Sequence, residues 1–364
     1  MHEPDWTHKR ILLIRTDRLG DVILSTPVAV FLKKRFPSCR ITFLVSQNNL
    51  PVVRACPAID HAFAVENFLK PNGKLDLRRF VHALREKNFD VVLHLHPRFD
   101  LALAAYLARI PVRAGTGYRF YSMLFNARQN EHRKTAQFHE AEYNLRLLQP
   151  LGFKDAAVEF SLEFDEAAQQ QARALLQEQH VSLSRPLVVV HPGSGGSSRD
   201  WPPGAFAQLA DRLMQERGVE VVVTGSVQDG PVLEAFYAHS QMKPPSLAGR
   251  LSLETLGALL QLADVFVGNS TGPLHLAVAV GTEVVSFYPP IRACRPERWG
   301  PYGRRQDVLM SRVEECYHCR KRYERYCDCM VAIPVQAAFD KVSEKLSYTL
   351  NKDKNRSEFT KGTL

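Results

Sequence analysis

Residues 15–27 read RTDRLGDVILSTP and gather Arg15, Asp17, Arg18 and Asp21 around Gly20, just where the apolar run RILLI gives way to a helical pattern. Two acids and two guanidinium groups in one strand-to-helix turn suit a polar or anionic ligand, because carboxylates accept hydrogen bonds and guanidinium forks bind anions. Gly20 permits close backbone approach, and Asp21 falls at or beside the start of the helix. The same residues also suit a plain turn, with Asp21 as N-cap and Asp17 as turn former.

Two further stretches have chemistry of a complementary kind. HPGSGGSSRDWP, residues 191–202, follows an apolar run and offers Gly193, Ser194 and Gly195 before Arg199, with prolines to start a helix. Backbone N–H groups and an arginine fork are what a diphosphate needs, although a flexible Gly/Ser connection reads the same way and the spacing matches no Walker or dinucleotide motif. VGNSTGPLHLA, residues 267–277, again runs from strand to helix and sets Ser270, Thr271 and Gly272 where N–H groups and hydroxyls could hold phosphate. His275 lies one turn into that helix, within reach of the loop or simply packed.

The elements that must position these loops alternate. RILLIRT, ITFLVS, HAFAV, DVVLHLH and VRAGTG read as strands; a helix is expected from about Val22 to Arg35, and LRRFVHALREK and DLALAAYLARI are helical. The alternation restarts at PLVVVHP and continues through helix 203–217, VEVVVTGS, helix 230–240, SLETLGALLQLA, DVFVGNS, GPLHLAVAV and TEVVSFYPP. Short apolar strands between amphipathic helices imply parallel sheets covered on both faces, hence an α/β chain of two domains with a boundary between about 155 and 185. PVQAAFDKVSEKLSYTL has helical spacing, and the polar tail from Asn351 reads as frayed.

With 45% hydrophobic and 23% charged residues, the 364-residue chain is globular rather than disordered. Its net charge of +9 points to an anionic partner: nucleic acid, a phosphorylated ligand or the anionic face of a bilayer. No nucleic-acid-binding signature accompanies the bases, so nucleic acid is the weakest of the three. The N-terminus lacks the pattern of a secretion signal and no apolar run approaches the roughly 20 residues of a membrane span, so the expected place is the cytoplasm.

Taken together, ILLIRTDRLGDVILSTP, HEAEYNLRLLQPLG, HPGSGGSSRDWP, VVVTGS, LAGRLSLETLGALLQLADVFVGNSTGPLHLAVAVGT and ECYHCRKRYERYCDCM resemble the glycosyltransferase family 9 proteins, whose best-known members are ADP-heptose:lipopolysaccharide heptosyltransferases. The resemblance spans nearly all of residues 9–335. It implies a GT-B architecture of two facing Rossmann-like domains: residues 1–165 for the acceptor, 166–335 for the nucleotide sugar, and a crossing helix with polar tail over 336–364. It also implies that Asp21 is the catalytic base and that Arg15, Asp17, Arg18 and Gly20 line the acceptor side. Glycosyl transfer must remove the acceptor proton and stabilise a leaving diphosphate, for which Arg199 and the N–H groups near Gly195 and Ser270–Gly272 are suited. Thr224, Gly225 and Ser226 end a strand at the same edge and are candidates for donor binding, with a plain turn as the other reading.

The crevice loops carry no D-x-D motif, so transfer is expected without a metal or other cofactor, inverting the anomeric centre as the family does. Heptose from ADP-heptose is the first choice of donor and a lipid-anchored saccharide of the lipopolysaccharide core the expected acceptor. Another nucleotide sugar stays open, since Ser270 stands where the heptosyltransferases commonly have Asp. The basic aromatic stretch GYRFYSMLFNARQNEHRK, residues 117–134, would suit an anionic acceptor and peripheral contact with the inner face of the membrane. The alternatives are a GT-B-like sugar-nucleotide epimerase or hydrolase, and a non-catalytic module that binds anionic glycans. Cys316, Cys319, Cys327 and Cys329 follow C-x2-C-x7-C-x-C, which suggests a structural zinc held by four thiolates, against four reduced thiols or a redox pair.

Overall fold

The computed structural model describes the backbone of residues 4–196, 198–312, 316 and 327–361. The chain divides into two compact units, Met1–Glu163 and Phe164–Leu364. Among the described residues no helix is long and apolar enough to cross a membrane.

In the first unit the order is β1 (Arg10–Ile14), α1 (Leu19–Ile23), α2 (Thr26–Arg35), β2 (Arg40–Val45), α3 (Leu50–Arg54), β3 (His61–Ala64), α4 (Leu77–Lys87), β4 (Val91–His94), α5 (Phe99–Leu107), β5 (Val112–Thr116), β6 (Ala127–Gln129) and α6 (Glu140–Arg146). The six strands are parallel in the order β3-β2-β1-β4-β5-β6. From β1 the chain builds outward through β2 and β3, then returns to place β4 on the other side of β1. The strand order therefore reverses between β1 and β4, and the crevice beyond their carboxyl ends is where open α/β sheets take ligands. Ile14 and His94 are partners at that edge, so the loops after both strands start level.

The single helix expected over 22–35 is two. Pro27 has no N–H, so the carbonyl of Ile23, four residues back, loses its helical partner. The Thr26 hydroxyl takes it at 2.8 Å, while the Ser25 hydroxyl donates to the Asp21 carbonyl at 2.8 Å. The break leaves α1 a five-residue helix that buries Val22 and Ile23 in the core and holds Asp21 in its first turn.

In the second unit the order is α7 (Glu166–Glu178), β7 (Leu187–His191), α8 (Pro203–Arg217), β8 (Glu220–Val223), α9 (Gly230–His239), α10 (Leu253–Leu262), β9 (Val265–Asn269), α11 (Gly272–Ala279), β10 (Glu283–Tyr288) and β11 (Val308–Met310). Its parallel sheet runs β11-β10-β9-β7-β8, and the reversal falls between β7 and β9. Both strands are buried at every position, as apolar runs covered on two faces require. Trp201 stacks on Phe287 with ring centroids 4.0 Å apart, and Phe206 meets both edge-on. A final helix, Val335–Lys361, adds Ala338, Phe339, Val342 and Leu346 to that same core. It continues through the tail read as frayed from the sequence, because no glycine or proline interrupts it before Gly362.

Candidate active site

The first unit's crevice is organised by a buried guanidinium. Arg15, the residue after β1, is 3% exposed and spends its donors in four directions. Nε reaches Asp17 Oδ1 at 2.8 Å; Nη1 reaches the Leu95 carbonyl and Glu140 Oε1, both at 3.1 Å, and Asn144 Oδ1 at 3.2 Å; Nη2 pairs with Asp21 Oδ1. One side chain thus ties the turn after β1 to the end of β4 and to α6. Glu140, 1% exposed, also pairs with Arg133, whose Nη1 donates to Asn144 Oδ1 at 2.9 Å. Asn144 in turn donates to the Leu24 carbonyl and to Ser25 Oγ, both at 3.0 Å, and so fixes the break after α1. Asn49 donates to the Asp17 carbonyl at 3.0 Å and holds the turn from the other side.

Asp21 is the third residue of α1, so it is not the N-cap that a turn reading assigned to it; Arg18 occupies that position without a side-chain capping bond. An acid in the first turn still interacts favourably with the helix N-terminus. Burial raises the Asp21 carboxyl from 3.8 to about 6, and the opposing attraction of Arg15 is outweighed once Asp17 and Glu140 add their repulsion. The charge count acts in the same direction as burial, since Asp17, Asp21 and Glu140 share the guanidinium groups of Arg15 and Arg133. His96 does not supply a third cation, since burial lowers its pKa; its Nδ1 stands 3.8 Å from Asp17 Oδ2. Arg18 is exposed and, among the described hydrogen bonds, stays outside the cluster. Gly20 is buried in helical conformation, so its position does not depend on a left-handed backbone.

In the second unit three loops leave the carboxyl ends of β7, β8 and β9. Gly195 and Gly196 adopt left-handed φ of +59° and +74°, which turns the loop after β7. Gly193 is required for a different reason: a Cβ there would lie 2.3 Å from Asp229 Oδ1. Asp229 also accepts from the Ser226 N–H at 2.8 Å and hydroxyl at 2.7 Å, so one carboxylate joins the loops after β7 and β8. Gly225 packs against it, and Thr224 Oγ1 lies 3.0 Å from Nδ1 of His191, whose pKa burial lowers to about 4, leaving it neutral. Asn269 joins the remaining pair of loops: its Nδ2 donates to the Pro192 carbonyl and its Oδ1 accepts from the Trp201 N–H, both at 2.8 Å.

Ser194, Ser270, Thr271 and His275 are buried, and Arg199 is half-buried on the loop that Trp201 closes. Thr271 caps α11 with extended backbone, and Gly272 opens the helix before Pro273, so N-terminal N–H groups remain without intrahelical partners. Such groups suit a phosphate ligand. Sequence reasoning missed Glu140, Asn144, Arg133, Asp229 and Asn269. The signal for two of them was Glu140 and Asn144 at i and i+4 on a largely buried helix. Of the four clustered cysteines, Cys316, Cys327 and Cys329 converge within the second unit, and Cys319 lies outside the described residues.

The family model Glycosyltransferase family 9 (heptosyltransferase) matches residues 77–329. The chain belongs to this family. It is 27% identical to lipopolysaccharide heptosyltransferase 3 of Escherichia coli over 333 residues, covering 89% of this chain and 96% of that protein. A family 9 crystal structure from Veillonella parvula matches with a TM-score of 0.81 at 22% identity, over 95% of this chain and 99% of that one. The E. coli ADP-heptose lipopolysaccharide heptosyltransferase II structure matches at 0.76 with 23% identity, over 93% and 99%. The protein is a glycosyltransferase of GT-B fold.

Arg15→Met leaves Glu140 and Asp21 buried without their shared partner and is expected to cost about 3–5 kcal/mol of the first unit's stability in urea unfolding at pH 8. The Asp21 carboxyl, left without its guanidinium partner, takes up a proton in the folded state, so the loss shrinks towards pH 5. A variant as stable as the parent at both pH values contradicts the role given to Arg15.

Proposed function

We propose that this glycosyltransferase moves heptose from ADP-heptose onto the core saccharide of a lipopolysaccharide, with inversion at the anomeric carbon and Asp21 as general base. The observation that carries the reading is the Asp21 carboxyl, desolvated to a pKa of about 6 and aligned by Arg15 at the crevice of the first unit. A base works best when its pKa lies near the operating pH, and an ordinary aspartate is too weak. The donor and acceptor follow the names of the relatives, the E. coli lipopolysaccharide heptosyltransferases.

In this scheme the acceptor hydroxyl gives its proton to Asp21 as its oxygen bonds to the anomeric carbon. The bond from that carbon to the diphosphate breaks on the opposite side, and ADP leaves with the electron pair. Arg199, the N–H groups of Gly195 and Ser270–Gly272, and the start of α11 take up the charge that grows on the diphosphate. Gly193, Ser194, Thr224, Gly225, Ser226 and His275 shape the donor side, and Arg15, Asp17, Arg18 and Gly20 the acceptor side. The arginine and the helix N-terminus fill the role a divalent ion has elsewhere, and no other cofactor enters the step.

The acceptor is lipid-anchored, so the enzyme works at the cytoplasmic face of the inner membrane through peripheral contact. The feature that supports this is an exposed aromatic cluster in the first unit. Phe120 is 79% exposed and Met123 73%, and the Phe120 ring lies 5.6 Å from Phe99 and 5.1 Å from Tyr121. Arg119 beside them supplies attraction to anionic headgroups.

Asp21→Asn is expected to lower kcat/KM for ADP-heptose and a heptose-deficient core acceptor by about 10²–10⁴-fold. UDP- and GDP-sugars should give no product with either form. The parent's kcat should rise with pH to a plateau above about 6, the range in which Asp21 loses its proton. Because that carboxyl titrates above its unfolded value, it contributes stability that is lost as pH rises from about 4 to about 6, so the asparagine variant should melt no lower than the parent at pH 8. Full activity in the variant removes the proposed base. Separately, the double variant Phe120→Ser, Met123→Ser should sediment less with vesicles containing anionic lipid while keeping its turnover on a water-soluble acceptor; unchanged sedimentation discards the membrane face.

A further inference from the structure

The cysteine pattern near the end of the chain is not used by the transfer reaction. Cys316, Cys327 and Cys329 are 8%, 7% and 2% exposed, and all three belong to the second unit's hydrophobic core together with Trp201, Phe287, Met330 and Ile333. Their sulfur atoms lie within 4.8 Å of one another, and those of Cys316 and Cys327 are 3.2 Å apart. A cysteine packs in a core as a small apolar side chain, and that role does not require its sulfur to meet two others. The 3.2 Å separation is far beyond the about 2.05 Å of a disulfide. It approaches the roughly 3.8 Å edge of a tetrahedron with about 2.3 Å metal–sulfur bonds.

We propose that Cys316, Cys327 and Cys329 are thiolate ligands of one thiophilic metal ion, zinc or iron, with a structural role. Three thiolates in an apolar core would be costly to bury as bare charges, whereas a divalent ion neutralises most of that charge and holds the sulfurs together. Soft sulfur ligands in tetrahedral geometry select these two metals over magnesium or calcium. Cys319 lies three residues past Cys316 in the sequence but outside the described residues, and the site rests on the other three.

The ion has a definite mechanical consequence. Cys327 and Cys329 belong to the turn and short helix Asp328–Val331, which leads directly into Ile333. The Ile333 carbonyl accepts a hydrogen bond from Trp201 Nε1 at 3.0 Å, and the Trp201 backbone N–H is held by Asn269. The metal therefore staples the segment that supports Trp201, the residue closing the loop that carries Gly193–Arg199. Removing the ion should loosen that loop while leaving the Asp21 cluster in the first unit untouched.

Elemental analysis of the full-length protein, purified in the presence of reductant and dialysed against metal-free buffer, tests this directly. The expected result is about one equivalent of zinc or iron per chain. Replacement by cobalt should give a thiolate-to-cobalt charge-transfer band in the near ultraviolet, and Cys329→Ser should weaken that band and reduce the bound metal. Trace metal only, unchanged metal content in Cys329→Ser, or a Cys316–Cys327 disulfide found by mass spectrometry in the reductant-purified chain would each overturn the proposal. The wild-type measurement decides the matter even where a cysteine variant fails to fold, and it reads metal rather than sugar transfer, so it stands apart from the donor and acceptor assignment.

Discussion

A guanidinium buried at the end of the first strand is the constraint on which the first unit depends. Arg15 cannot lose its charge, so every donor it carries must find an acceptor once water is excluded. The fold answers with Asp17 and Asp21 from the adjoining turn and helix, Leu95 from the end of β4, and Glu140 and Asn144 from α6. These partners come from both sides of the point where strand order reverses. The requirement that stabilises Arg15 therefore also gives the crevice its shape. Burial, with repulsion from Asp17 and Glu140 added to it, then makes Asp21 a stronger base than a surface aspartate, at some expense in stability near neutral pH.

The second unit holds its loops with one buried carboxylate and one buried amide. Two buried polar side chains, Asp229 and Asn269, fix the arrangement of these loops. Asp229, bonded to Ser226 in the loop after β8, lies against Gly193 of the loop after β7, and Asn269 ties that same loop to the end of β9. Trp201 anchors the far end of the same loop in the core, where the final helix and the cysteine cluster meet it. The loop after β7 is thus held at both ends by buried contacts, while Gly195 and Gly196 between them take up left-handed backbone.

The apolar strand runs were legible because a parallel sheet buries both faces, so RILLI, LVVVH and VFVGN stand out without any tertiary information. Shorter pieces were not: α3, β6 and β11 span three to five residues, too few for a period to emerge. The split between α1 and α2 was readable in principle from Pro27, but the apolar pattern runs straight across it. At the site, Arg15, Asp17 and Asp21 stood out as charges beside a buried strand. Glu140 did not, because it lies 125 residues from Arg15 and becomes a partner only when α6 packs across the strand ends. Asn269 was hidden for a similar reason, since it reads as the last residue of a strand and works through two backbone groups of another strand's loop.

The central claim is that desolvation beside Arg15 turns Asp21 into a base suited to neutral pH. It is tested most directly by following the side-chain carboxyl carbon of Asp21 by NMR as pH is varied, with the signal assigned by its loss in the Asp21→Asn protein. The account predicts a titration midpoint near about 6. A midpoint in the ordinary aspartate range, about 3.9, would contradict it.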